Sequence, residues 1–390
     1  MRSQKIAASA VVLIIVSTVF VAPAWAVPEF SRSTGSDCVE CHVSPPMLNE
    51  RGESFEARGY RLPEHLDHRS SGTIPFSVWT TSRTQTHGDL DGSDTFITRV
   101  EPIIGGSIGD LPISYFVEWR LLDLHVQSDG SRGDRSGRFE DVEVAIEFIE
   151  NHTVEVGQYR ALTQLNASQR LSVSEPSIMG AGLPGRSDER ARRESVRSFS
   201  PSGRSPSVRY EWHSIEEDES IANGLFHALS VVFPGEFSLP ISDRASEAAS
   251  FEFEPRPKGV FGETYYRRGL SSAGVHAFAG DAGRWLAQAL GRINYDDFLV
   301  TAGLGRDSGT GEGARTRMSI QPEYLIRWHP RVRGALGLRA ENITNEGQDP
   351  AYIPYLSVAG PNTRFSAVLQ AEYRIQEDRE EFFIDISTMF

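Results

Sequence analysis

The run Arg315-Thr316-Arg317-Met318-Ser319-Ile320-Gln321-Pro322-Glu323-Tyr324-Leu325-Ile326-Arg327-Trp328 alternates along most of its length. Met318, Ile320, Tyr324, Ile326 and Trp328 share one side, while Arg315, Arg317, Gln321, Glu323 and Arg327 share the other. A period of two marks a β-strand with one apolar face. The strand is long, since soluble strands average about five or six residues. If the apolar and aromatic side were the outer surface, the hidden face would carry the charges. A lipid-facing apolar side over a polar lumen removes the conflict.

The same pattern recurs. In residues 141–149, Val142, Val144, Ile146 and Phe148 oppose Asp141, Glu143 and Glu147. In 331–341, Val332, Leu336 and Leu338 oppose Arg331, Arg333 and Arg339; in 364–375, Phe365, Leu369 and Tyr373 oppose Arg364, Gln370 and Glu372. Pro322 requires a bulge or a rim position. Residues 113–126 slip by one near Leu121-Leu122, as at a bulge. Asp89-Leu90-Asp91-Gly92 and Asp129-Gly130 read as tight turns. The final run carries Phe382, Ile384 and Ile386 on one face and ends on Phe390, similar to the assembly signal of bacterial outer-membrane barrels. The expectation is an all-β chain, an antiparallel outer-membrane β-barrel of roughly 14–16 strands, with a short helical segment before it. A soluble β-sandwich is the competing fold. Residues 165–206, with Arg186, Arg190, Arg192, Arg193, Arg197 and Arg204, are too long for a turn and read as an external loop or an inward-folded plug.

The first 26 residues read as a cleaved signal peptide. Arg2 and Lys5 give a basic start, residues 6–22 are apolar, and Ala24-Trp25-Ala26 is a small-x-small cleavage site. Removing them lowers the formal charge from −14 to −16. The mature chain is thus acidic, without a basic patch for nucleic acid.

The chain has only two cysteines, both in Cys38-Val39-Glu40-Cys41-His42. This spacing attaches one haem c covalently: the two thiols add to the haem vinyl groups, and His42 reaches the iron as proximal ligand. A redox dithiol would want a βαβ context, and a structural disulfide would leave His42 unexplained. Residues 27–70 form the haem c-binding segment. Pro45-Pro46 can start a helix that carries Met47, Leu48, Phe55 and Tyr60 and ends near Gly59. So short a segment cannot bury a haem alone, so residues 71–390, the barrel, must cover it.

Ala26-x-Pro28-x-Phe30-x-Arg32-x-Thr34 followed by Cys38-x-x-Cys41-His42 resembles the start of the fused monohaem c-type cytochrome–porins of the outer membrane. That family includes the iron-oxidase cytochromes of iron-oxidising bacteria. Their pattern after the aromatic is Ala-Arg-Gln-Thr; here Ser31 and Ser33 depart from it. The resemblance implies electron transfer through a barrel-enclosed haem, from an extracellular donor such as Fe(II) to a periplasmic cytochrome, hence an Fe(II):cytochrome c oxidoreductase in the outer-membrane lipid of a Gram-negative cell. Two alternatives stand beside it: a porin whose haem segment is an anchor or gate, and an outward conduit to an extracellular acceptor. The distal iron ligand is open among His65, His68, His125, His213, His276 and Met47. The acidic runs 89–94 and 216–219 could gather hard cations, though as solvated turns they need no such role.

Overall fold

The computed structural model describes residues 30, 36–60, 76–86, 93–108, 111–126, 132–134, 136–162, 164, 179, 203–215, 223–238, 250–253, 257–308, 313–329, 332–344, 349–361, 366–376 and 379–389. The expected signal peptide (residues 1–26), His65, His68, the arginines from 186 to 197, both acidic runs except residues 93–94, the two expected tight turns and Phe390 lie outside them.

Sixteen long antiparallel strands form one closed wall. They are β1 (Phe76–Thr86), β2 (Ser93–Ser107), β3 (Ile113–Arg120), β4 (Arg138–Ile149), β5 (His152–Arg160), β6 (Arg204–His213), β7 (Gly224–Val232) and β8 (Gly259–Arg268). The circuit continues through β9 (Ser271–Gly280), β10 (Trp285–Tyr295), β11 (Phe298–Asp307), β12 (Arg315–His329), β13 (Val332–Thr344), β14 (Ala351–Pro361), β15 (Ser366–Gln376) and β16 (Arg379–Met389). β16 closes on β1, from Phe382 opposite Thr86 to Met389 opposite Trp79. Closure leaves no open edge, which in lipid would strand backbone N–H and C=O groups without partners.

The faces fall as the alternation requires. On β12, Met318, Ile320, Tyr324 and Trp328 are exposed, while Arg315, Arg317, Gln321 and Glu323 are buried in the lumen. Val144, Ile146 and Phe148 point outward on β4, and Leu336 and Leu338 on β13, with Arg339 inside. This inversion of soluble burial is what a lipid solvent selects. Lumen charges pair with one another: Asp307 accepts from Arg315 Nε at 2.9 Å and from Arg317 Nε at 2.6 Å, and Arg209 lies 2.5 Å from Glu155. Such pairs offset the cost of removing charge from water.

Three details differ from, or refine, the sequence reading. Pro322 sits mid-strand, neither at a bulge nor at a rim. It keeps register opposite Val300, and the β12–β13 ladder skips only from Ile320–Ala340 to Glu323–Gly337 without slipping. The ladder tolerates one absent N–H because the pairs on either side hold the register. The slip near Leu121 is a bulge, since pairing with β2 shifts by one between Ile103–Glu118 and Val100–Leu122. The 165–206 stretch ends earlier than expected, because Arg204 to Pro206 already belong to β6, with Pro206 opposite Gln158.

The two rims are unequal. At one, β4–β5, β8–β9, β10–β11 and β12–β13 are joined by two residues each. At the other, β5–β6, β3–β4 and β7–β8 are joined by long connections, of which β3–β4 carries the short strand Arg132–Asp134 and β7–β8 carries Gly235–Ser238. Short turns mark the periplasmic rim of such barrels and long loops the extracellular one. From the 161–203 connection, Met179 is buried on the inner wall, where its side chain approaches Gly303 and Gly305.

Candidate functional site

The first cysteine opens a single helical turn, α1 (Cys38–Cys41). Asp37 caps it, its N–H donating to Glu40 Oε1 at 3.3 Å. Residues three apart on a helix share a face, so Cys38 and Cys41 project together, and neither is disulfide-bonded. His42 leaves the turn in extended conformation, its N–H donating to Cys38 O. Its ring Nδ1 lies 3.2 Å from Pro46 O. A carbonyl only accepts, so Nδ1 carries the proton and Nε2 keeps its lone pair. The protein packed around this partly covered ring pulls its pKa down to about 4, chiefly by desolvation, so it is neutral at pH 7. A neutral ring with one nitrogen donating to a backbone carbonyl is compatible with metal ligation through the other. The donor set therefore fits a haem c: Cys38 and Cys41 as the attachment pair and His42 as proximal ligand.

The expected helix from Met47 to Tyr60 is shorter. α2 spans Glu50–Ala57, while Met47 and Leu48 pair with residues 42–44 as a two-stranded ladder. Asn49 sets the start: its Oδ1 accepts from the N–H groups of Arg51 (3.0 Å) and Gly52 (3.1 Å). The same side chain donates from Nδ2 to Glu40 O at 2.8 Å, and Asn49 N–H donates to Cys41 O at 2.9 Å. One residue thus joins the carbonyl end of α1 to the amide end of α2. Gly52 permits the contact, because a Cβ there would stand 2.2 Å from Cys41 O. Gly59 and Tyr60 then take left-handed backbone and end α2.

This segment is docked inside the short-turn rim. Val43 and Met47 are buried against Leu299 of β11, Leu325 of β12 and Ala335 of β13. Arg333 of β13 donates from Nη1 to His42 O and to Val43 O, both at 2.9 Å. Glu53 of α2 pairs with Arg267 of β8, both side chains nearly inaccessible. Ala57 packs on Ile215, Phe226 and Tyr265. Phe30 stacks on Tyr60 at 4.9 Å and meets Phe55 edge-on at 5.1 Å, with Phe116 of β3 behind. The Tyr60 hydroxyl donates to Glu143 Oε1 of β4 at 3.0 Å, and burial raises its pKa well above the ordinary range.

The residues expected as candidates for a distal ligand are scattered. Met47 is committed to the wall cluster beside Val43. His213 lies at the rim end of β6, its ring 6.0 Å from Phe226. His276 is held mid-wall between Gln164 (2.8 Å) and Glu263 (3.3 Å). The side chain of His125 is outside the described residues, as are His65 and His68.

Higher in the lumen, Glu101, Glu118 and Glu140 bring carboxylate oxygens within 4.8 Å of one another. Arg120 lies 2.8 Å from Glu101 and 2.5 Å from Glu140, while Arg204 reaches Glu118 at 3.2 Å and Arg99 reaches Glu101 at 3.2 Å. The guanidinium groups occupy the role a cation would take. Sequence reading missed Asn49, Gly52, Glu53, Arg267 and the contacts of Arg333. Only Asn49, a polar cap residue just before a helix, carried a local signal.

No protein-family model matches the chain, and no curated protein matches it. Solved structures do, as folds. An anion-selective porin from Comamonas acidovorans aligns with TM-score 0.50 at 11% identity over 80% of this chain and 97% of its own. Salmonella typhi OmpF aligns with TM-score 0.50 at 9% identity, over 81% and 97%. Pseudomonas putida OprB aligns with TM-score 0.50 at 8% identity, over 80% and 92%. Together with the apolar outer face and the charged lumen, these likenesses give the chain the fold of an outer-membrane porin, a closed sixteen-stranded barrel.

Proposed function

We propose that this protein is an outer-membrane electron-transfer cytochrome, a porin-like barrel carrying one covalent haem c at its periplasmic rim. The observation that supports it most is the arrangement of Cys38, Cys41 and His42: two thiols on one helical turn, then a histidine whose Nδ1 donates to Pro46 O. The haem, when bound, supplies one-electron redox chemistry. The chain's own part is placement. Asn49 and Gly52 hold the cysteine turn on α2, Glu53 and Tyr60 fasten α2 to the wall, and the barrel excludes lipid from the segment. A haem at the short-turn rim suits delivery to a periplasmic cytochrome. An extracellular donor, for which we favour Fe(II) as substrate, would reach it from the long-loop side. An acidic chain concentrates a dication near the pore.

The test is anaerobic addition of Fe(II) to the oxidised protein in detergent. Reduction should give the sharp c-type absorbance band, faster at low ionic strength because salt screens the attraction, and should vanish in His42→Ala with the barrel intact. Reduction by dithionite but never by Fe(II) would reject iron as donor. The second reading, a diffusion porin with a haem-bearing gate, is favoured by the likeness to porins. It predicts solute flux that rises when residues 36–60 are released from the wall.

A further inference from the structure

The haem segment precedes the barrel in the chain, yet a barrel side chain far along the sequence touches the backbone of His42 itself. Arg333, second residue of β13, sends a single nitrogen to His42 O and Val43 O at 2.9 Å each, across 290 positions of sequence. Val43 is packed beneath it on Ala335, two residues along the same strand, and on Leu299 and Leu325. Among the described residues the guanidinium pairs with no carboxylate; Asp297, on the neighbouring turn, is engaged by Arg327 at 2.9 Å. A cation hydrogen-bonded to two carbonyls thus rests on the turn that carries His42. A haem iron gains one positive charge on oxidation, and a fixed cation close by opposes that gain.

Resting on the haem reading above, we infer that Arg333 is a positioning residue of the haem site supplied by the barrel wall, which locks the His42–Val43 turn and raises the reduction potential of the haem. The mechanism joins two levers by which proteins tune haem, outer-shell hydrogen bonding and local charge. It also gives the barrel a role beyond enclosure: removing the barrel would change the potential, not just the exposure, of the haem.

The experiment compares wild type with Arg333→Lys, Arg333→Gln and Arg333→Met, each purified from outer membranes. Haem-stained denaturing gels report attachment, and spectroelectrochemistry reports potential. A wild type without covalent haem fails the reading beneath the inference, whatever the variants do. With haem attached throughout, both neutral variants should show a lower potential than wild type, with Arg333→Lys closer to wild type and the gap narrowing as salt is raised. A potential in Arg333→Gln and Arg333→Met equal to wild type overturns the inference. If the neutral variants lose haem while Arg333→Lys keeps it, the need for a cation at this position is upheld. Loss of haem in Arg333→Lys as well overturns it, since the charge is then not what matters.

Discussion

Replacing Gly52 by alanine sets two effects against each other, and the structure says which wins. In an isolated helix the change stabilises by roughly 0.5–1 kcal/mol, because glycine loses more backbone freedom on folding. Here the added Cβ would sit 2.2 Å from Cys41 O, 2.7 Å from Leu48 Cδ2 and 3.1 Å from the Cys41 carbonyl carbon. Two of those atoms are backbone and cannot swing aside like a flexible side chain. The Asn49–Cys41 hydrogen bond at 2.9 Å further pins the carbonyl. Overpacking of this kind costs about 1–3 kcal/mol. The net is a loosening of α1 from α2 centred near 1 kcal/mol and reaching about 2.5 kcal/mol, a factor of about 5 in the docked-to-undocked ratio at the centre of that range. Hydrogen exchange of the α2 amides in detergent-purified protein measures that ratio by mass spectrometry, with β12 and β13 peptides as internal controls. Faster exchange over residues 50–57 with the barrel peptides unchanged is the expected result. Slower exchange would mean that only the helix gain operates, and that the cysteine turn does not rest on α2.

Three further expectations follow from single contacts. Asn49→Ala removes the α2 cap and the link to Glu40 O, and should lower the thermal midpoint of segment release by an amount matching about 1–2 kcal/mol, read from the haem absorbance band. Arg267→Ala removes the guanidinium paired with buried Glu53 and leaves that carboxylate in the field of Arg292, a loss of up to about 3–5 kcal/mol, whereas the double change with Glu53→Ala should restore much of it; urea titration of segment docking checks both. Ile320→Arg places a charge on the lipid face near the middle of β12 and should cost about 2–4 kcal/mol in barrel stability, measured by unfolding from bilayers, where a soluble sandwich would respond by an order less.

The barrel was legible because its information is local. Each strand states its own faces by alternation, as β4, β12 and β13 do, and sixteen strands lie at the upper end of the range the runs implied. The Cys38–His42 motif is likewise carried by five consecutive residues, and the haem it would hold belongs to the proposal above. What stayed hidden was relational. The pairing of Glu53 with Arg267 and the grip of Arg333 on His42 and Val43 depend on closure of the whole circuit. Nothing in the neighbourhood of Arg333 separates it from other inward arginines of its strand face. The helix after Pro46 was overextended because apolar residues at 47 and 48 fit a helical face, while the backbone instead folds them onto residues 42–44 and lets Asn49 open the helix. Pro322 was misjudged because strand rules treat the residue alone, whereas its neighbours hold the register on both sides.

The central claim is that Cys38 and Cys41 hold a haem inside an outer-membrane barrel. Its most direct measurement is acidified organic extraction of the protein purified from the outer-membrane fraction, followed by a haem-stained denaturing gel. The account predicts that haem stays with the wild-type polypeptide, and that a Cys38→Ala, Cys41→Ala double variant reaches the same membrane without it. Haem passing into the organic phase from wild type, or a wild-type protein with no haem at all, would contradict the claim.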